Sequence, residues 1–242
     1  MSLVDFQRRV DALTQLRVAS IDAPVLAKDD AHHLFTVLRA KRGEEVVLTD
    51  GAGAWRFATV GEGDLRDLSA VQRDPEPTPR ILYLAPIKGD RGEWAIAKAT
   101  ELGVTTVVPL LARRVAFKFK GEVRDKLLTR WRRLALEAAG QCRRTYDLVV
   151  TDPVEVRDVP VNVAVAIPGA TGSLDDVDAI AIGPEGGWEL DEWSSANPMI
   201  GLGETILRTE TAVVAASVLL ASRGSGWPMV AGSARISKDE EQ

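Results

Sequence analysis

The chain has 242 residues and is 45% hydrophobic, which is enough to bury one large core or two modest ones. Its net charge of −5 argues against a general polyanion binder. The one cysteine, Cys142, excludes an internal disulfide and is typical of a reducing cytoplasm, and His32 and His33 stand without the Cys/His cluster of a metal site. An apolar run of about eighteen residues and a hydrophobic leader are both lacking, so we predict a protein that neither spans a membrane nor is secreted.

Three apolar runs with turns between them predict a small β-barrel in the first part of the chain. The runs are Glu45–Thr49, Ala54–Val60 and Leu65–Val71, and glycine-rich turns separate them. A helix from about Asp30 to Arg39 interrupts the barrel, with Asp29 or Asp30 as its N-cap. We assign this domain to residues 1–73.

The segment Asp74–Pro79 carries three alternating prolines, which neither a helix nor a central strand tolerates. It is the predicted linker (residues 74–79) to a second domain, residues 80–242. Strands and helices alternate there, which predicts an α/β domain with a mostly parallel sheet covered by helices. The predicted strands are Ile81–Ala85, Val104–Leu110, Val163–Ile167, Ala179–Ile182 and Met199–Leu202. The predicted helices are Arg91–Leu102, Glu122–Cys142, about Asp191–Ala196 and Thr209–Ser222.

The last helix is apolar around nearly its whole circumference between Thr211 and Ala221. Such a helix must be buried on all sides, so we expect one face to pack on the sheet and the other on a second subunit. A central helix of a monomer is the alternative.

Two glycine-bearing loops dominate the second domain. Ile182–Gly187 and Leu202–Ala212 each read as a short strand that runs into a loop and then a helix, the arrangement that holds a ligand on backbone groups. A P-loop is excluded because Trp188 and Glu189, rather than Lys and Ser or Thr, follow Gly187. A dinucleotide fingerprint matches weakly because its third glycine is missing. The loops therefore predict one shared pocket, although ordinary strand-to-helix turns would also use glycine.

Three motifs together resemble the ribosomal RNA small subunit methyltransferase E family. They are the two loops just described and the upstream segment Lys98–Val104. The resemblance covers nearly the whole chain and implies a SPOUT-superfamily enzyme that uses S-adenosylmethionine to methylate N3 of one uridine of 16S rRNA in the 30S subunit. It further implies a cytoplasmic homodimer without a bound metal, an N-terminal PUA-like β-barrel that binds RNA, and a C-terminal α/β domain with a deep trefoil knot.

The resemblance also implies which residues bind the cofactor. They are Ile167, Pro168, Ile182, Gly183, Pro184, Glu185, Gly186, Gly187, Leu202, Gly203, Ile206, Leu207, Arg208, Thr211 and Ala212. Two segments depart from the family pattern. Only Gln141 of the usual Glu-Gln pair is present, and the short segment between Ile167 and Ala179 puts the contacts of Pro168–Ala170 in doubt.

Methylation of uridine N3 requires that its proton leave as the methyl group arrives. A carboxylate can take the proton, or an arginine can stabilise the negative charge that spreads onto the uracil oxygens. Arg208, Glu210, Glu185 and Glu101 are the candidates. We favour Arg208 for charge stabilisation and Glu210 as proton acceptor, while a structural ion pair within the loop is the alternative for both.

Basic residues are concentrated between Arg113 and Arg144, where eleven stand against three acidic ones. Such an excess favours phosphate contact over a merely solvated helix face. A second cluster around His33 and Arg39 matches the His-x-x-x-Val-Leu-Arg segment of the family, with an ordinary helix surface as the alternative. The predicted RNA-binding residues are His33, Arg39, Arg113, Arg114, Arg132, Arg133, Arg143 and Arg144.

Two other functions are considered. A SPOUT methyltransferase acting on another RNA, such as tRNA, is disfavoured by the Pro-Glu-Gly-Gly and Leu-Arg-Thr-Glu-Thr loops. A non-catalytic RNA-binding assembly factor would be favoured by damaged glycine loops, and the loops are intact.

Overall fold

The computed structural model describes residues 3–172 and 177–223. The outer limits of the two predicted domains, at residues 1 and 242, lie outside these ranges, as does part of the short segment between Ile167 and Ala179. No helix in the described ranges is long and apolar enough to cross a membrane.

The N-terminal part is a curled sheet with its own buried core. Its elements in chain order are α1 (Leu3–Asp11), β1 (Gln15–Arg17), α2 (Lys28–His32), β2 (Glu45–Thr49), β3 (Ala54–Val60), β4 (Leu65–Arg66) and β5 (Gln72–Arg73). Strand β2 pairs parallel with β1 and antiparallel with β3, which also pairs with β4 and β5. Alternate side chains of β2 and β3 pack with Leu34 into this core.

Two predictions for this part need correction. The strand predicted over Leu65–Val71 is interrupted, because Asp67 takes a positive φ of 48° and Ser69 bonds to Phe57 of β3 instead of extending the strand. The predicted helix begins earlier, at Lys28, and passes into a π-helical turn over His33–Val37. Its N-cap is Ala27 rather than an aspartate.

The C-terminal part is a parallel sheet covered by helices, as predicted. Its strands are β6 (Ile81–Leu84), β7 (Thr106–Leu111), β8 (Val149–Val150), β9 (Val154–Glu155), β10 (Ala164–Ala166), β11 (Ala179–Ile182) and β12 (Met199–Ile200). Its helices are α3 (Asp90–Glu101), α4 (Glu122–Gln141) and α5 (Thr209–Ser222). The strand order is β12-β10-β11-β6-β7-β8, with β9 beside β7. Trp131 of α4, with no exposed surface, lies in the core between sheet and helices.

The helix predicted over Asp191–Ala196 is reduced to a 3-10 turn, Leu190–Glu192. The Glu192 carboxylate accepts the backbone N–H groups of Glu189 and Arg113, which ties the turn to the end of β7. The side chain of Asn197 is likewise engaged, since it donates to the carbonyl groups of Pro160 and Val163. Three of these four hydrogen bonds are long-range, and they take the place of a continued helix.

Helix α5 is not buried on all sides within a single chain. Val213, Ala216 and Leu220 face the core, whereas Val218 is 44% exposed and Leu219 is partly exposed. This leaves an apolar strip open on the face that we predicted to meet a second subunit.

The two parts of the chain are joined by more than a linker. Asp74 accepts hydrogen bonds from Arg9 and Trp55 of the N-terminal part and from the Thr145 hydroxyl of the C-terminal part. Arg9 is only 4% exposed, and it also donates to the backbone carbonyl of Arg143. Asp74, predicted as the first linker residue, is therefore the centre of a polar network at the junction.

Candidate cofactor and catalytic site

A cavity of about 510 Å³ opens where β10, β11 and β12 end. These strands run parallel, so the loops that follow them meet at one edge of the sheet. The start of α5 forms a further wall through Arg208, Thr209 and Ala212. The volume is within the usual range for a small-molecule site, about 300–1,000 Å³.

The structure brings both predicted glycine loops to this cavity. Of the residues predicted to bind the cofactor, those that line it are Ile167, Pro168, Ile182, Gly183, Pro184, Glu185, Gly187, Leu202, Gly203, Ile206, Leu207, Arg208 and Ala212. Gly186 and Thr211 are not part of the lining. A Cβ atom at Gly186 would lie 2.9 Å from the backbone oxygen of Arg114, so this glycine permits close packing between its loop and Arg114.

Tight packing shapes the first loop. The N–H of Gly187 closes a turn onto the carbonyl of Pro184 at 2.9 Å, and Gly187 has a φ of +73°, which favours glycine. A Cβ at Gly183 would lie 2.9 Å from the Trp188 ring. Trp188 is held in turn by its Nε1–H bond to Ala166 and by an edge-to-face contact with Trp193. The loop is thus fixed by its own tryptophan.

Several residues of the cavity were not predicted from the sequence. Arg91, Trp188 and Thr209 line it, together with Ala166 and Thr205. Arg91 lies in the first turn of α3, after β6, and β6 pairs parallel with β11. The rule that loops gather at the carboxyl ends of parallel strands could have indicated Arg91 once the strand order was known.

The two catalytic candidates occupy different environments. Arg208 is the N-cap residue of α5, is exposed and lines the cavity, and none of the described residues pairs with its guanidinium group. The Glu210 side chain is only 13% exposed. Its Oε2 atom is buried without a hydrogen-bond partner among the described residues, and Nη1 of Arg91 lies 3.9 Å away.

The other two acid candidates are placed differently. Glu185 lines the cavity and accepts a hydrogen bond from Nη2 of Arg91 at 3.3 Å. Glu101 lies at the far end of α3, ten residues or about 15 Å from Arg91, and pairs with Lys98 at 2.7 Å. The structure does not bring Glu101 to the cavity.

Most of the predicted RNA-binding arginines have partners from distant parts of the sequence. Arg113 and Arg114 both bind Glu189, and hydrogen bonds from these two arginines hold the pKa of that carboxyl below its ordinary value. Arg132 binds Asp152 and the carbonyl of Val150. Because these carboxylates neutralise the arginines, the net positive charge of this surface is smaller than the count along the sequence indicated.

The remaining RNA candidates divide into two groups. Arg143 and Arg144 lie partly buried near the junction, where they donate to the carbonyls of Ala12 and Thr100, and burial lowers the pKa of both. Both guanidinium groups therefore make contacts within the chain. His33 and Arg39 are exposed. Arg133 is also exposed, and it pairs with Glu137 one turn along α4 at 3.2 Å.

Comparisons with known proteins agree with this architecture. Residues 74–221 match the family model of an RNA methyltransferase domain, and residues 26–70 match that of an RNA methyltransferase PUA domain. Ribosomal RNA small subunit methyltransferase E of Mycobacterium bovis is 33% identical over 229 residues, which cover 84% of this chain and 87% of that protein. The protein of the same name from Synechocystis sp. is also 33% identical, over 87% of this chain and 76% of its own length.

The likeness extends to three dimensions. The structure of ribosomal RNA small subunit methyltransferase E from Neisseria gonorrhoeae, solved with bound S-adenosylmethionine, aligns with a TM-score of 0.71 and 26% identity over 86% of this chain and 97% of that one. Together, the two matched domains and the relatives that match over most of their length show that this chain belongs to the ribosomal RNA small subunit methyltransferase E family.

Proposed function

We propose that this chain binds S-adenosylmethionine in the cavity at the carboxyl edge of the sheet and methylates N3 of a uridine in 16S rRNA. The observation that carries the proposal is the meeting of both glycine loops around one cavity, with Arg208 and Arg91 on its wall. Relatives named for the methylation of small-subunit ribosomal RNA support the choice of substrate.

The residues of the cavity fit this cofactor. Apolar side chains such as Ile182, Leu202 and Leu207 offer surfaces for an adenine ring, and the loop backbones offer N–H and C=O groups for its polar atoms. When bound, S-adenosylmethionine supplies an electrophilic methyl group. Of the two arginines on the cavity wall, Arg91 contacts Glu185, whereas Arg208 has no carboxylate partner among the described residues and can meet the oxygens of a uracil.

The catalytic roles proposed for Arg208 and Glu210 follow from their surroundings. Arg208 carries five N–H donors on an exposed side chain at the rim, which suits it to stabilise negative charge on uracil O2 and O4 as the N3 proton leaves. Glu210 Oε2 has free lone pairs and is the proposed acceptor of that proton. The target uridine must leave its base stack to reach both side chains.

RNA contact is proposed on both domains. In the N-terminal part, the exposed side chains of His33 and Arg39 are proposed to contact RNA. In the C-terminal part, the proposed contacts are made by Arg113, Arg114, Arg132 and Arg133, which also bind carboxylates. We further propose the domain limits 1–73, 74–79 and 80–242, the deep trefoil knot, and action in the cytoplasm as a homodimer through the open strip of α5.

Methylation of isolated 30S subunits tests the function. Subunits from cells that lack this gene should gain one methyl group on a uridine base of 16S rRNA when the purified protein and S-adenosylmethionine are added, as read by nucleoside mass analysis. Methylation of tRNA instead of 16S rRNA would indicate a different substrate. Failure of calorimetry to detect S-adenosylmethionine binding would favour a non-catalytic assembly factor.

A further inference from the structure

Arg91 links the two loops that build the cavity. It lies in the first turn of α3 and lines the cavity, and its guanidinium group is half-exposed. One nitrogen, Nη2, donates to Glu185 Oε1 of the first loop at 3.3 Å. The other, Nη1, faces Glu210 Oε2 at the start of α5 at 3.9 Å. A single planar side chain thus spans two carboxylates that are 25 positions apart in the sequence.

The two contacts differ in kind. The distance to Glu185 is that of a long hydrogen bond, whereas 3.9 Å to Glu210 is too long for one and leaves a charge interaction alone. Glu210 Oε2 is buried and lacks any hydrogen-bond partner among the described residues. An ionised carboxylate is costly to bury without a nearby cation. Arg91 supplies that cation without occupying the lone pairs of the oxygen.

We infer that Arg91 is a positioning residue that holds the Glu210 carboxylate in place at the start of α5 and leaves its Oε2 atom without a hydrogen bond, so that this oxygen can accept a proton. The inference rests on the proposed function for the identity of that proton, the one on uridine N3. The rigid fork of arginine suits this task, because a lysine ammonium presents one compact charge that cannot span both loops in the same way.

Arg91→Met and Arg91→Lys test the inference, with Arg66→Met as a matched control. Arg66 is half-exposed, binds a single carboxylate, Asp64, and belongs to the N-terminal part away from the cavity. In single-turnover methylation of 30S subunits, Arg91→Met should lower the rate by about tenfold or more and change the dissociation constant of S-adenosylmethionine by less than about threefold. Arg91→Lys should recover part of the rate, and Arg66→Met should keep the full rate.

A double-mutant cycle separates positioning from a general structural role. In a Glu210→Gln background, Arg91→Met should change the rate by less than about threefold, because the residue it positions is gone. If the effects of the two substitutions on the rate multiply instead, Arg91 does not act through Glu210 and the inference is wrong. Full activity of Glu210→Gln would overturn it as well.

A crystal structure of Arg91→Met gives a readout that does not depend on activity. The Glu210 carboxylate should turn away from its place beside residue 91 once the charge is removed, and a carboxylate that stays in place would overturn the positioning role. This readout stands even if wild-type protein fails to methylate 30S subunits, an outcome that would refute the proposed function alone. Thermal unfolding of each variant confirms that the fold is retained.

Discussion

Arg208 differs from the other arginines near the cavity because no carboxylate of the described chain binds it. Arg113, Arg114 and Arg91 each contact at least one acidic side chain. A guanidinium group that the fold leaves unpaired at the wall of a cavity is available to a ligand. This availability, rather than the presence of an arginine in the loop, supports its proposed role in stabilising charge.

Replacement of Arg208 by alanine should lower the rate of methyl transfer by roughly a hundredfold or more, the usual cost of losing one charge-stabilising donor. Affinity for 30S subunits should stay nearly unchanged. Single-turnover methylation and filter binding measure the two effects. Arg157→Ala removes an exposed arginine outside the cavity and should keep full activity. A full rate for Arg208→Ala would make the arginine structural.

At the scale of single elements, α3 and α4 each contain a glycine that their helical position does not require. A Cβ at Gly92 of α3 would lie 2.5 Å from the backbone oxygen of Ile87, a contact that only a backbone shift relieves. At Gly140 of α4 the nearest atom would be the carbonyl oxygen of Gln15 at 3.4 Å, an ordinary contact. Close packing therefore demands glycine in the first helix only.

Gly92→Ala should destabilise the protein by about 1–3 kcal/mol, because overpacking outweighs the better helix propensity of alanine. Gly140→Ala is the matched control and should be neutral or stabilising by up to about 1 kcal/mol. Urea unfolding followed by circular dichroism measures both. Equal effects of the two substitutions would contradict the close approach of Gly92 to Ile87.

The loop between β7 and α4 carries cations that its neighbours do not neutralise. Phe117 and Phe119 pack inward, edge to face, against the core, which leaves Lys118 and Lys120 exposed. Neither lysine has a carboxylate partner among the described residues. The free positive charge of this region therefore belongs to the loop more than to the paired arginines of α4.

Charge reversal of this loop should weaken RNA binding and flatten its dependence on salt. Each lost phosphate contact removes about one released counterion, so the double variant Lys118→Glu, Lys120→Glu should reduce the slope of log K against log salt by about 1–2. Arg157→Glu makes the same kind of charge change elsewhere and should leave the slope unaltered. Calorimetry should show unchanged affinity of the loop variant for S-adenosylmethionine. An unaltered slope for the loop variant would exclude the loop from the RNA interface.

At the scale of the whole molecule, the junction at Asp74 joins the two parts. Arg9 is almost fully buried there, and it stacks on the Trp55 ring at 4.6 Å as well as binding Asp74 at 3.0 Å. Removal of the negative charge on Asp74 leaves the buried Arg9 guanidinium group without its paired carboxylate. Asp74→Asn should therefore cost roughly 2–4 kcal/mol in urea unfolding.

Glu62→Gln is the control for Asp74→Asn. Glu62 pairs with Arg42 in a fully solvated setting, with side-chain exposures of 75% and 71%, so its loss should cost less than about 1 kcal/mol. If Asp74→Asn costs no more than Glu62→Gln, the junction does not stabilise the fold. If the N-terminal and C-terminal parts of the Asp74→Asn variant unfold in separate steps, the polar network couples the unfolding of the two parts in the wild-type protein.

The open strip of α5 leads to a prediction about assembly. Wild-type protein should scatter light as two chains of 26.2 kDa each at micromolar concentration, and Val218→Glu should shift it to one chain by placing a charge on the strip. Val161→Glu introduces the same charge at a 54% exposed valine outside α5 and should leave the mass unchanged. A wild-type mass of one chain would contradict the homodimer.

Elements with strong local signals could be predicted from the amino-acid sequence. Strands Glu45–Thr49, Ala54–Val60 and Ala179–Ile182 and the helix Thr209–Ser222 have the predicted bounds. Alternation of apolar residues, glycine turns and an unbroken apolar run are local properties, so they need no knowledge of the neighbours. Strand β1 was missed because three residues are too few to show a period, and helix α1 was missed although its nine residues are amphipathic.

Which charged groups are free and which are paired depends on long-range contacts that the sequence pattern does not contain. Arg91 meets a carboxylate 94 positions away, Arg130 one 37 positions away, and Arg113 one 78 positions away. A count of charges along the chain cannot include such partners, so it overstated the basic surplus near α4 and overlooked Arg91. The glycine loops could be recognised in the sequence because the backbone conformation of a loop depends on its own residues. The electrostatics of that cavity depend on which strands the fold places side by side.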